Sequence, residues 1–232
     1  MTRLSLIVIA TVLSAMASVG TAFAQRAGVA SPRPDLSTRT LDQITTYDEM
    51  NACQMRPNVE AAKLLLAAKS IDDARKFAAR FKWRACTLKG PGTGFMKVEP
   101  NDPKLDELRW MSADYLLRDA ALLAKLDPLP KRRIYNKPWF AASARDDSID
   151  EMAACVADTN PAGILSLNKA QIGSKEEQAA FSALDNDFVA CLSAGVTLQG
   201  GRKAIRGALV DALYQRTQMW PITEAEKAGV SN

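Results

Sequence analysis

The residues with the clearest chemistry are four cysteines, Cys53, Cys86, Cys155 and Cys191, in a chain of 232 residues that contains no histidine. Without histidine there is no imidazole base, no Ser–His or Cys–His nucleophile pair and no His-containing metal site. A zinc site made of four thiolates normally brings close C-x2-C pairs, and the spacing here has none. No metal and no cofactor is therefore expected, and an even cysteine count reads as a disulfide framework. Ser166-Leu167-Asn168-Lys169 fits the S-x-x-K nucleophile motif but lacks the supporting S-D-N and K-T-G elements. Gly90-Pro91-Gly92-Thr93-Gly94 lacks the G-K-[ST] ending of a phosphate loop and reads as a flexible connection. The acid pairs Asp72/Asp73 and Glu176/Glu177 follow Ser70 and Ser174, where they suit a helix N-terminus better than catalysis. No catalytic residue is assigned.

The most distinctive candidate surface is Lys131-Arg132-Arg133-Ile134-Tyr135-Asn136-Lys137-Pro138-Trp139-Phe140. Arg132, Arg133, Tyr135, Lys137 and Trp139 together could engage an anionic polymer, an acidic partner or a headgroup layer. The competing reading packs Ile134, Tyr135, Trp139 and Phe140 into the protein while the cations stay in water. Trp83 and Trp110 fall on expected helices and read as core.

The chain begins with an export signature. Arg3 precedes an apolar run from Leu4 to Ala17, and Ala22-Phe23-Ala24 forms an A-x-A site before Gln25. That order describes a secretory signal peptide over residues 1–24, and its apolar core is shorter than the roughly 20 residues of a membrane span. No later segment reads as a span. The expected location is periplasmic or extracellular, where disulfides persist. The 30 basic and 26 acidic residues give a net charge of +4, too mixed a balance for a nucleic-acid surface.

The chain also repeats itself. Thr46–Cys53 and Ser148–Cys155 align at an offset of 102, and each carries an S/T-x-x-E capping box. Ser70-Ile71-Asp72-Asp73 leads toward Cys86 as Ser174-Lys175-Glu176-Glu177 leads toward Cys191, and Arg109-x4-Asp114 is echoed by Arg206-x4-Asp211. The expected fold is all-α, with two tandem copies of a roughly four-helix, disulfide-closed domain. The helices are placed at 47–55, 59–68, 71–85 and 105–126, then at 149–157, 161–167, 175–190 and 203–218. Phe95–Val98 and Val196–Leu198 could form a short β pairing between copies. The organisation is a signal peptide (1–24), a flexible segment (25–44), repeat 1 (45–127), a basic/aromatic linker (128–147), repeat 2 (148–218) and a tail (219–232).

Symmetry alone does not choose the disulfide pairing. A single ancestral unit would have to close its own bridge, which favours Cys53–Cys86 and Cys155–Cys191. Each bridge closes a loop of about 35 residues, worth about 3.5–4 kcal/mol in the chain-entropy model.

Cys155, Cys191-Leu192-Ser193-Ala194-Gly195, Arg206-Gly207-Ala208-Leu209 and Ala212-Leu213-Tyr214 together carry a resemblance. The chain resembles a group of exported bacterial proteins with duplicated paired-cysteine helical domains and no assigned activity. The first copy departs from that pattern, with Lys-Gly-Pro-Gly near its second cysteine and Trp110 where the second copy has Gly207. The resemblance implies the architecture and transfers no functional residue. The expected function is a non-enzymatic binding module for an envelope protein or an anionic envelope component. The alternatives are a hydrolase using Ser166/Lys169 or paired carboxylates, and a purely structural or stress-related exported protein.

Overall fold

The computed structural model describes residues 41–89, 95–98, 103–118, 126–193, 195–198 and 200–218. The signal-like segment, the Gly90–Gly94 loop and the tail after Gln218 lie outside the described residues. The described chain is mostly helical. In order it comprises α1 (Leu41–Met55), a 3-10 turn (Arg56–Asn58), α2 (Val59–Ala67), α3 (Ile71–Ala78), β1 (Cys86–Lys89), β2 (Phe95–Val98) and α4 (Leu105–Leu116). A second 3-10 turn (Phe140–Ala142) precedes α5 (Asp147–Thr159), α6 (Pro161–Lys169), α7 (Lys175–Ala183), α8 (Asp185–Cys191) and α9 (Arg202–Gln218).

Local chemistry sets most of the helix starts. Ser70 accepts from the amide of Asp73 at 3.1 Å, and Ser174 accepts from that of Glu177 at 3.1 Å. Glu177 also accepts from the amide of Gly173, closing a reciprocal cap. The acid pairs therefore sit where a helix dipole favours negative charge, as their spacing implied. The two expected capping boxes near Thr46 and Ser148 are not used as N-caps. α1 runs back to Leu41, which puts Thr46 inside the helix. α5 is capped two residues earlier, by the Asp146 carboxylate accepting from Ser148 N–H at 2.8 Å. A stronger acceptor two residues upstream displaces the serine.

Three further expectations change. The segment 71–85 is not one helix: α3 ends at Ala78 and the chain runs extended from Lys82 into β1. Trp83 thus lies on an extended strand approach rather than a helix. β2 pairs antiparallel with β1, Cys86 opposite Val98 and Lys89 opposite Phe95, a hairpin within the first half and not a pairing with Val196–Leu198. The expected helix 175–190 breaks at Leu184 into α7 and α8.

Both expected disulfides form, Cys53–Cys86 with Cα atoms 6.2 Å apart and Cys155–Cys191 at 5.6 Å. The halves do not bury separate cores. One cluster, containing Met55, Leu65, Ala74, Phe81, Leu108 and Met111, is made chiefly by the first half. The larger one joins Leu66, Trp110, Ala113 and Leu117 to Met152, Leu167, Leu184, Leu209 and Leu213.

α4 and α9 make the seam. A Cβ on Gly207 would stand 3.2 Å from Trp110 Cβ and 3.3 Å from its Cγ, so the missing side chain leaves the space in which Trp110 lies. Tyr47 stacks on Trp110, with ring centroids 5.2 Å apart.

Candidate functional site

The buried charges come first, because they are where catalytic groups would be sought. Arg109 on α4 and Asp211 on α9 are fully buried and bonded by Nε to Oδ2 at 2.9 Å and Nη2 to Oδ1 at 3.2 Å. Arg145 donates to the same carboxylate at 2.7 Å and to Asp150 at 2.7 Å. Ser143 donates to the second oxygen of Asp150. Between Ser143 and Arg145, Ala144 has φ of 60°, a left-handed conformation costly for a residue with a side chain. That backbone turn directs the serine hydroxyl and the guanidinium toward one carboxylate.

Burial would raise the pKa of Asp211, but Arg109 and Arg145 outweigh it and hold the carboxyl below its ordinary range. Asp150 shifts the other way, since burial outweighs Arg145 and the Ser143 hydrogen bond. Ser143 beside Asp150 superficially pairs a hydroxyl with a base, yet both are wholly buried and their bonding capacity is directed at each other and at Arg145. The cluster neutralises charge at the junction of α4, α5 and α9, where its side chains are buried.

The remaining catalytic candidates are no closer to a site. Ser166 is exposed on α6 and its hydroxyl donates back to Ala162 of the same helix at 3.1 Å. Lys169 lies exposed at the end of that helix. Asp72 and Asp73 are exposed, and Glu177 receives Arg206 at 2.8 Å. Among the described residues no group of three or more His, Cys, Asp or Glu could hold a metal ion. No described helix is long and apolar enough to cross a membrane.

The linker divides. Tyr135, Trp139 and Phe140 are buried, so the rings of Tyr135 and Trp139 are removed from the basic–aromatic surface the sequence offered. Trp139 packs edge-on against Phe140 at 4.6 Å. The Tyr135 hydroxyl accepts from Arg132 N–H at 3.0 Å. Arg132 pairs with Asp158 at 3.3 Å and Lys131 donates to the Ala190 carbonyl. Arg133 stays exposed, Lys137 is half-buried, and Ile134, expected to pack, is 74% exposed. What the aromatic residues do is anchor the crossing between halves.

The open surface lies elsewhere. A groove of about 400 Å³ runs between the 3-10 turn at Arg56, the start of α2 and the chain after α3. Its apolar floor includes Pro57, Ala61 and Leu64, and Arg56, Arg80 and Lys82 line it. No salt bridge links these three cations to any described carboxylate, while the groove's Glu60 is held by Lys63 at 3.0 Å. Two carboxamides hold the chain after α3, and one of them, Asn58, lines the groove. Asn58 accepts from Lys82 N–H at 2.8 Å and donates to Lys82 C=O at 3.3 Å. One turn earlier Gln54 donates to Arg84 C=O at 2.7 Å and accepts from Arg84 N–H. Side chains thus supply the hydrogen bonds a neighbouring strand would give; Lys82 is left exposed, Arg80 lies exposed over the Phe77 ring, and Arg84 donates to the Cys53 carbonyl at 3.2 Å.

The corresponding place in the second half is filled. Val156 stands where the offset of 102 puts Gln54, so no second carboxamide is available to hold an extended chain. Asn160, the counterpart of Asn58, instead accepts from Gly163 N–H at 2.9 Å and caps α6. Its amide also donates to Asp187 at 2.8 Å. The chain stays helical as α8, and Leu184 presses so close to Gly163 that an added Cβ would lie 2.6 Å from its Cδ2. Ala61 occupies the position of Gly163 in the first half.

The charge differs as well. Ile71–Cys86 carries Arg75, Lys76, Arg80, Lys82 and Arg84 against Asp72 and Asp73, whereas Lys175–Cys191 carries only Lys175 against Glu176, Glu177, Asp185 and Asp187. A single helix over 71–85 would leave no groove. The alternation Arg80-Phe81-Lys82-Trp83-Arg84 has period 2 and signals an extended chain with one cationic face.

Comparison of the chain with family models, with characterised proteins and with solved structures finds no match.

Proposed function

We propose that the chain is an exported, non-enzymatic binding module made of two tandem disulfide-closed helical units, with its contact surface on the first. Two bridges at corresponding positions support the tandem reading. So do Arg109 and Arg206, which each donate to carbonyls near the end of the second helix in their own half, Leu65 in one case and Asn168 and Ala170 in the other. Two disulfides in a chain that opens with a signal-like segment support export to the periplasm or beyond.

The observation that carries the function is the basic groove. Cations with no described ion-pair partner, set around an apolar floor, favour an acidic or anionic surface that also offers a hydrophobic side chain. The groove takes over the role first considered for the linker. Co-purification of the tagged, disulfide-intact protein from its own cell-envelope fraction tests this. The triple replacement Arg56→Glu, Arg80→Glu, Lys82→Glu abolishes recovery of a stoichiometric partner, and replacement of Arg132, Arg133 and Lys137 by Glu leaves it in place. The opposite pattern returns the binding surface to the linker.

A further inference from the structure

The groove has a candidate occupant on the molecule itself. Helix α8 exposes Asp185, Asn186, Val189 and Ala190 on one face, and Val189, at 61% exposed, is among the most exposed large hydrophobic residues described. Asp187 on the same helix is engaged by Asn160, which leaves Asp185 on α8 and Glu176 on α7 as its solvent-facing carboxylates. One face therefore offers an apolar side chain beside an acid, and the other an apolar floor ringed by Arg56, Arg80 and Lys82.

We infer that the groove of one molecule receives α8 of a second copy, so that the protein self-associates head to tail. The inference rests on the groove being a binding surface and names its partner. The two patches differ, so the contact is heterologous and leaves a free groove at one end and a free α8 at the other. Val189 would enter over Leu64 and Ala61 while Asp185 faces the cations. Lys131, held on the Ala190 carbonyl, sits at the opposite end of α8 from Asp185.

Sedimentation velocity of the mature, disulfide-bonded protein tests this. At low ionic strength the weight-average mass rises with concentration, and added salt lowers it because the contact is between charges near the surface. Arg80→Glu/Lys82→Glu weakens self-association at least about tenfold, and so does Asp185→Lys. Neither site is buried, and far-UV circular dichroism verifies that both variants fold. Mixed together, these two variants regain association, since the intact groove of one meets the intact α8 of the other and the two reversed charges attract across the second contact. A protein that stays monomeric at every concentration, or self-association that survives both charge reversals, overturns the inference. A monomer whose groove still captures an envelope component refutes self-association and leaves the proposed binding surface standing.

Discussion

The same stretch of chain, from the second helix of each half to its second cysteine, ends in two different structures. In the first half it leaves α3, runs extended along Asn58 and Gln54, and keeps a basic groove open. In the second it continues as α8, drops Leu184 onto Gly163, and closes the space. A handful of substitutions accounts for the difference: Gln54 against Val156, Ala61 against Gly163, and Lys82 against Asp187. The carboxamide decides whether backbone groups find partners outside a helix, and the glycine decides whether a leucine can pack down. The seam behaves otherwise. There the differences between halves are complementary, Trp110 lying over Gly207 and Arg109 on Asp211.

The seam also gives the largest contrast to test. Asp211→Asn leaves Arg109 and Arg145 buried without their shared counter-charge, and equilibrium denaturation should show a loss of about 3–5 kcal/mol. Asp114→Asn, at the matching position of α4, should cost about 1 kcal/mol or less. There the partners are Asn51 at 2.8 Å and Arg118, whose side chain is 40% exposed. Equal losses would erase the distinction between the two carboxylates.

Replacing either cysteine pair by alanine should cost about 2–5 kcal/mol and lower the melting temperature sharply. An unchanged melt would show the bridges to be dispensable. Gly207→Ala forces its new methyl against Trp110 and should cost about 1–3 kcal/mol, falling toward zero in a Trp110→Leu background. In the comparison of grooves, Gly163→Ala should also cost about 1–3 kcal/mol, because Leu184 must move. Its mirror, Ala61→Gly, should cost only the helix penalty of about 1 kcal/mol.

The smallest effect is in the pH profile. Burial raises the Asp114 pKa above its ordinary value, despite Arg118. The penalty for ionising it is present at neutral pH and relieved as pH falls toward the unfolded value of about 3.9. Wild type should therefore gain on Asp114→Asn between neutral pH and about 4. Asp211 has a lowered pKa, so its contribution is present above about 3.9 and lost as pH falls through its folded value. Wild type should lose ground to Asp211→Asn in that lower range, and the same trend in both variants would contradict the assignments.

Much of this was legible in the residues. The helices expected at 59–68, 161–167 and 203–218 form as α2, α6 and α9, the one expected at 105–126 forms as α4 but ends at Leu116, and the repeat located both bridges. The caps at Ser70 and Ser174 stood in plain sequence. The rest depended on partners distant along the chain. Nothing near Lys82 announces that Asn58 will bond its backbone, and nothing near Trp110 announces Gly207. The clustering of Arg109, Arg145, Asp150 and Asp211 arises only when α4, α5 and α9 converge. Tyr135 and Trp139 looked like a surface because aromatic residues beside cations serve recognition and packing equally well, and burial here chose packing.

Two outwardly different halves share one core, joined where α4 packs on α9, and should unfold as one unit. Differential scanning calorimetry of the disulfide-bonded protein tests it most directly. A single transition whose calorimetric and van't Hoff enthalpies agree is the predicted result. Two resolved transitions, one altered only by substitutions in the first half and the other only by substitutions in the second, would contradict it.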